Sequence, residues 1–286
     1  MTAQLDINWG ISTLGCHELD LCEICKLAEK HSIYNLEIRS LADSLNLPAY
    51  LDSTYPDDPE AILRILNQHR QSIVALNSGF RLTGSDDEGQ ARDELLAFAR
   101  WAERLKIPFI RVFGGGSMTQ PLSKRDLDSA TRNLQWWQQQ REANHWTTRI
   151  ALETHGGVSS GARCLQVQEA FGGPLDIIWD THHTWKLGNE TAAETWDQIG
   201  SSIRHLHIKD SVSIPSARHP YSYVLPGKGE FPVAETYDVL RQNNYCGIVS
   251  LEWERKWHPY LPDLDAALKA LTDSGWRSGT PQAVGG

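Results

Sequence analysis

Four apolar runs in this chain each end on an acid or an imidazole. Residues 175–179 lead into Asp180-Thr-His-His183, and Ile150-Ala-Leu152 leads into Glu153-Thr-His155. Residues 203–208 carry His205 and His207 and close on Lys209-Asp210, while Ile248-Val-Ser-Leu251 delivers Glu252. Short apolar runs bounded in this way read as buried strands. Alternation along a strand then sorts the side chains by face. Leu206 and Ile208 point one way, and His205, His207 and Lys209 the other. Leu152 opposes Glu153 and His155, Trp179 opposes Asp180, and Val249 and Leu251 oppose Glu252. The polar residues therefore share one side. Three buried carboxylates placed together repel, and each loses its hydration; a divalent cation resolves both costs. Glu153, Asp180 and Glu252 with one imidazole suit a fairly hard ion, Mn²⁺ or Mg²⁺, with Co²⁺ or Zn²⁺ also compatible. The competing reading is a structural ion-pair network in which Lys209, Arg111 and Arg39 neutralise the acids.

These residues need a frame that brings strand ends together. Eight strands are expected, at 5–11, 35–39, 72–78, 109–113, 150–153, 175–180, 203–209 and 248–252. Helices are expected between them, at about 18–30, 60–71, 86–105, 126–143, 164–171, 191–199 and 233–243, with a last one at 261–274. The segment 86–105 is the clearest, with Leu95, Leu96, Phe98, Ala99 and Ala102 at core spacing. Strands alternating with helices imply a parallel sheet, and eight of them close into a (β/α)₈ TIM barrel whose site lies at the strands' C-terminal end. An open doubly wound sheet is the alternative, but no G-x-G-x-x-G opens a helix after the first strand. The chain reads as one barrel domain over residues 1–286, with a frayed tail at 281–286. Residues 211–232 form a long loop rich in Pro, Ser and Gly, and 56–59 a turn.

A net charge of −9 argues against a nucleic-acid partner. No apolar run reaches the roughly 20 residues that span a bilayer. The opening Met1-Thr-Ala-Gln lacks the basic end and apolar core of a signal peptide, and the five cysteines suit a reducing compartment, so a cytoplasmic location is expected. Cys22 and Cys25 form a C-x-x-C inside a helical pattern, read first as packing and only second as a redox or zinc pair. The Trp136-Trp137 pair likewise reads as packing. A homo-oligomer would need an exposed apolar face on the outer helices, and the pattern singles none out.

Leu-Glu153-Thr-His-Gly, the Asp180-x-x-His183 pair, His207 in His-Leu-His-Ile-Lys-Asp and Glu252 in Ser-Leu-Glu-Trp-Glu resemble, in order and spacing, the motifs of the xylose-isomerase-like TIM-barrel superfamily, in its sugar phosphate isomerase/epimerase group. The resemblance covers nearly the whole chain. It implies Glu153, Asp180, His207 and Glu252 as metal ligands, with Glu153 and Glu252 also moving protons and His183 touching substrate. The implied activity is isomerisation or epimerisation of a sugar or sugar phosphate: a proton α to a carbonyl is removed and a metal-stabilised enediolate is reprotonated. His155, Lys209, Arg111 and Glu37 are further candidate substrate contacts, Lys209 either polarising an oxygen or neutralising the acids. Arg218 leads a basic group, with His219, Lys228, Arg255, Lys256 and His258, that would hold a phosphate or carboxylate or else lie solvated. The family's ketose epimerases usually carry another Glu six residues after the first, where this chain has Ser159. A dehydratase of inosose or dehydroshikimate type and a non-catalytic sugar-binding barrel are the alternatives. The apurinic-site endonucleases share the fold but use three zinc ions, and this chain's acidic balance would repel DNA.

Overall fold

A computed structural model describes residues 7–56, 58–83 and 88–281. The expected strand start at Leu5 and Asp6, the helix start at Asp86, Asp57 of the expected turn and all but the first residue of the expected tail lie outside the described residues. The strands β1 (Asn8–Ser12), β2 (Asn35–Ile38), β3 (Ser72–Arg81), β4 (Phe109–Phe113), β5 (Arg149–Glu153), β6 (Asp176–Asp180) and β7 (Ile203–Ile208) form seven staves of a barrel. A short hairpin follows, β8 (Asp210–Val212) with β9 (Ser222–Val224), and β10 (Ile248–Leu251) is the eighth stave. All barrel neighbours are parallel, and β10 closes the ring between β7 and β1. The closed (β/α)₈ reading holds, and the open sheet is excluded.

The outward residues of alternating pairs explain why the ring closes with its helices outside. Leu36, Ile38, Ile110, Val112, Leu152, Ile177, Trp179, Leu206, Ile208, Val249 and Leu251 are all buried against the helical layer. Each contributes about 1.5–3 kcal/mol by leaving water. That layer comprises α1 (Leu21–Lys30), α3 (Pro59–Gln68), α4 (Glu88–Arg104), α5 (Lys124–Asn144), α6 (Gly161–Phe171), α8 (Ala192–Ile199), α9 (Val233–Gln242) and α10 (Leu264–Asp273). Reciprocal capping boxes start three of them: Asp20 with Glu23, Ser123 with Asp126, and Thr191 with Glu194.

Three features escape the sequence reading. A helix α2 (Leu47–Thr54) starts on Asn46 with Pro48 in its first turn. A short α7 (Thr181–Lys186) begins where β6 ends, because Asp180 caps it by accepting the His183 N–H at 2.9 Å. The loop 211–232 is a hairpin rather than open chain. Its base wraps the carboxylate of Asp210, which accepts N–H bonds from Ser211, Gly227, Gly229 and Phe231. A side chain at Gly229 would start 2.2 Å from Asp210 Oδ1, so the Pro-Gly-Lys-Gly run is what lets the backbone close on the acid.

Candidate metal centre

Register brings the four implied ligands to the same end of the barrel at staggered levels, Glu153 pairing with Ile178 rather than Asp180 and Glu252 lying two residues beyond Ser250. Asp180 pairs with His207 across β6 and β7, His207 with Ser250 across β7 and β10, and Glu153 ends β5 beside Phe113 of β4. Ligand atoms of Glu153, Asp180, His207 and Glu252 then lie within 4.8 Å of one another, all buried. The imidazole of His207 decides how this cluster reads. Its Nε2–H donates to Glu37 Oε2 at 2.8 Å, so Nδ1 is the free nitrogen. Nδ1 faces Glu252 Oε2 at 3.4 Å, Glu153 Oε1 at 3.5 Å and Asp180 Oδ2 at 4.0 Å, and makes no hydrogen bond. A lone pair aimed at three carboxylates is repulsive unless a cation, a proton or a metal ion, lies between them. Buried oxygens of Glu153 and Asp180 also lack a well-formed hydrogen bond. The donor set fits a divalent cation.

Ion pairs are present as well. Arg111 Nε lies 3.1 Å from Glu153 Oε2. Lys209 Nζ reaches Glu252 Oε2 at 2.5 Å and Asp180 Oδ2 and Glu254 Oε1 at 2.7 Å each. Lys209 and Arg111, joined by His207 and His183 whose pKa values the same acids raise, offset much of the charge of Glu37, Glu153, Asp180, Glu252 and Glu254. The unpaired His207 Nδ1, rather than the charge tally, therefore carries the metal reading. Burial opposes the charge of Glu153, but Arg111 and His207 outweigh it and hold the carboxyl below its ordinary range. Burial opposes Glu252 too, and His207 and Lys209 hold it well below that range. Above the cluster opens a cavity of about 400 Å³ walled in part by Glu153, Glu252, His155 and His183.

A family profile described as xylose isomerase-like TIM barrel matches residues 37–274. This chain belongs to that family. Curated proteins yield no match. Among solved structures, the probable 3-DHS dehydratase AsbF of Bacillus anthracis superposes with a TM-score of 0.74 at 18% identity, over 92% of this chain and 98% of its own. The IOLI protein, solved with a bound zinc atom, gives 0.72 at 17%, over 93% and 95%. D-psicose 3-epimerase of Clostridium cellulolyticum H10 gives 0.69 at 16%, over 94% and 98%. At these identities the likeness is one of fold.

Within this xylose isomerase-like barrel the expected substrate contacts separate into two groups. His155, His183, Arg111 and Arg218 face the cavity. His183 sits in α7 with Nδ1 3.0 Å from Asp180 Oδ2, and its ring meets that of His155 edge-on at 5.0 Å. Lys209 is buried among the acids. Glu37 is placed differently from the expectation: its carboxylate has no exposed surface and bridges His207 and His205, the latter 2.8 Å from Oε1. Asn77 donates to the same carboxylate at 3.1 Å. Of the loop's basic group, His219 and His258 line the cavity with Arg218. Arg255 instead pairs with Glu18, and Lys256 with Asp43. Ser159 is buried.

Two residues of the site, Glu254 and Arg81, escaped the sequence reading, and Arg39 was expected only as a counter-ion to the acids. Glu254 lines the cavity and binds Lys209, and its place two residues after Glu252 was the available signal. Arg39 lines it too, two residues after Glu37. Arg81 ends the inward series Asn77, Gly79, Arg81, which lengthens β3 beyond its expected end. Elsewhere, Cys25 is buried and Cys22 half-buried, both as free thiols. No described helix is long and apolar enough to cross a membrane.

Proposed function

We propose that the chain is a divalent-metal-dependent isomerase or epimerase of a sugar or sugar phosphate, acting by proton abstraction α to a carbonyl. The observation that carries the reading is that Glu153 and Glu252 belong to the four-donor cluster and also line the cavity. Glu153, Asp180, His207 and Glu252 would hold a divalent cation, which would supply Lewis-acid stabilisation of negative charge developing on the carbonyl oxygen. Glu153 and Glu252 stay ionised near neutrality and so accept a proton. They rise from β5 and β10, with β6 and β7 between them, and reach a bound carbon from different sides. If one glutamate takes the proton and the other returns one to the opposite face, the carbon inverts. Return to the adjacent carbon converts ketose to aldose.

A second reading is a dehydratase of inosose or dehydroshikimate type. Burial opposes the charge of His183, but Asp180 prevails and raises its pKa, which favours His183 in the cavity wall as the group that would protonate a departing β-hydroxyl. One structural neighbour carries the name of a probable 3-DHS dehydratase.

Proton NMR in D₂O separates the readings. Mn²⁺-loaded and metal-stripped protein are incubated with free and phosphorylated ketoses, inososes and dehydroshikimate, and Mn²⁺ is chelated out before spectra are taken. Metal-dependent deuterium at an α-carbon without water loss supports the first reading, and water loss supports the second. Tight metal binding with no exchange in any compound points to a non-catalytic sugar-binding barrel. In the Glu252→Gln variant, exchange should fall by about 100-fold or more; an unchanged rate removes Glu252 from the proton path.

A further inference from the structure

We propose that the substrate entering this cavity carries an anionic group, a carboxylate or a phosphate, seated on the guanidinium groups of Arg39, Arg81 and Arg218. The inference rests on the cavity being the active site and names the class of compound it admits.

Four arginines face the cavity. Arg111 is already engaged, with Nε beside Glu153 and Nη1 donating to Ser78 O at 3.0 Å. Among the described residues, the side chains of Arg39, Arg81 and Arg218 have neither a carboxylate within 4.0 Å nor a hydrogen bond. The three acids of the wall are already engaged, Glu252 and Glu254 by Lys209 and Glu153 by Arg111. The cavity thus separates its charges, with acids and lysine gathered at the cluster and guanidiniums left open. In a chain of net charge −9, this is not a by-product of composition.

Solvation alone accounts poorly for Arg39. It is half-buried, and burial together with the neighbouring Arg111 pushes its pKa down to about 10. A bound anion reverses that cost, whereas the hydroxyls of a neutral sugar would leave it in place. The planar fork of arginine matches carboxylate and phosphate oxygens two at a time. Arg218 is set by its surroundings despite its exposure. It lies in the β8–β9 hairpin whose base is clamped by Asp210, and its guanidinium lies 5.7 Å over the Trp257 ring. Arg81 comes from the opposite quarter, at the end of β3.

Three probes with one polyol skeleton test this: neutral D-glucitol, D-gluconate and D-glucitol 6-phosphate, titrated calorimetrically into the Mn²⁺-loaded full chain. At least one anion should bind about tenfold or more tightly than glucitol. The preferred anion tells carboxylate from phosphate. In Arg39→Gln and Arg218→Gln that preference should collapse towards the glucitol value while glucitol affinity holds. Gluconate can also chelate metal, so variants are compared at equal Mn²⁺ saturation and after melting curves confirm their fold. Anions that bind no better than glucitol, or a preference that survives both substitutions, overturn the proposal. An arginine-dependent preference without deuterium exchange on any anionic compound leaves this subsite standing and sinks the isomerase reading. Exchange on neutral ketoses without anion preference does the reverse.

Discussion

Glu37→Gln is the sharpest test of how the metal centre is built. Glu37 has no exposed surface; its Oε2 takes the His207 Nε2–H at 2.8 Å, and His205 Nε2, hydrogen-bonded to Ser250 Oγ at 2.7 Å, lies 2.8 Å from Oε1. Burial works against its charge, but His205 and His207 hold the carboxyl well below its ordinary range. A carboxylate can accept at either oxygen, whereas glutamine accepts at only one. Whichever imidazole meets the new amide NH₂ must turn a lone pair towards it and move its own proton to Nδ1. At His207 that protonates the nitrogen aimed at the cluster. At His205 the orienting charge on His207 is still lost. Partners of this kind are worth about 10–100-fold in metal affinity, or about 1.4–2.7 kcal/mol. Titration of Mn²⁺ followed by electron paramagnetic resonance, on variant and parent at one pH, reads the loss directly. Circular dichroism separates it from unfolding. A folded Glu37→Gln protein that binds Mn²⁺ within about twofold of the parent would falsify the orienting role, since the His207–Glu37 bond would then be incidental.

Mn²⁺ affinity should weaken as pH falls. Burial opposes the charged form of His207, but Glu252 and Glu37 raise its pKa well above the ordinary value, so the metal must displace a proton. Titrations between about pH 8 and about pH 6 should show a loss of up to tenfold per unit, and a flat profile removes His207 from the ligand set. Lys209→Met should cost about 3–5 kcal/mol in the metal-free protein, because Asp180, Glu252 and Glu254 lose their shared cation, and clearly less when Mn²⁺ is bound. Urea unfolding with and without Mn²⁺ measures both, and equal losses argue that Lys209 acts apart from the cluster. Alkylation at mild pH, mapped by mass spectrometry, should label exposed Cys246 first and spare Cys25, whose thiol burial pushes up to about 12. Rapid labelling of Cys25 in folded protein contradicts that burial.

The sequence by itself determined the barrel and the shared side of the cluster's acids, while the choice of His207 over His205 came from the family resemblance. The barrel and the shared side follow from local rules. Period-two alternation forces Glu153, Asp180, His207 and Glu252 to one side while Leu152, Trp179, Leu206 and Leu251 take the other. Eight such strands joined by helices have few ways to bury two faces. Alternation also placed Glu37 and Arg39 inward, but it fixes a side and not a depth. Only the stagger between neighbouring strands decided that Glu37 lies beneath His207 as its support while Arg39 reaches the cavity. Depth separates orienting a ligand from touching a substrate, and it is set by register across β1, β2 and β3, which one strand's pattern does not encode. Local signals likewise missed α7, because its start depends on the Asp180 carboxylate accepting the His183 N–H. The loop 211–232 read as open chain, since its order comes from the Asp210 carboxylate and four backbone N–H groups brought around it. The unpaired state of Arg39, Arg81 and Arg218 was likewise beyond the sequence. It depends on how the acids of the cavity wall are shared out in three dimensions, and those are already held by Lys209 and Arg111.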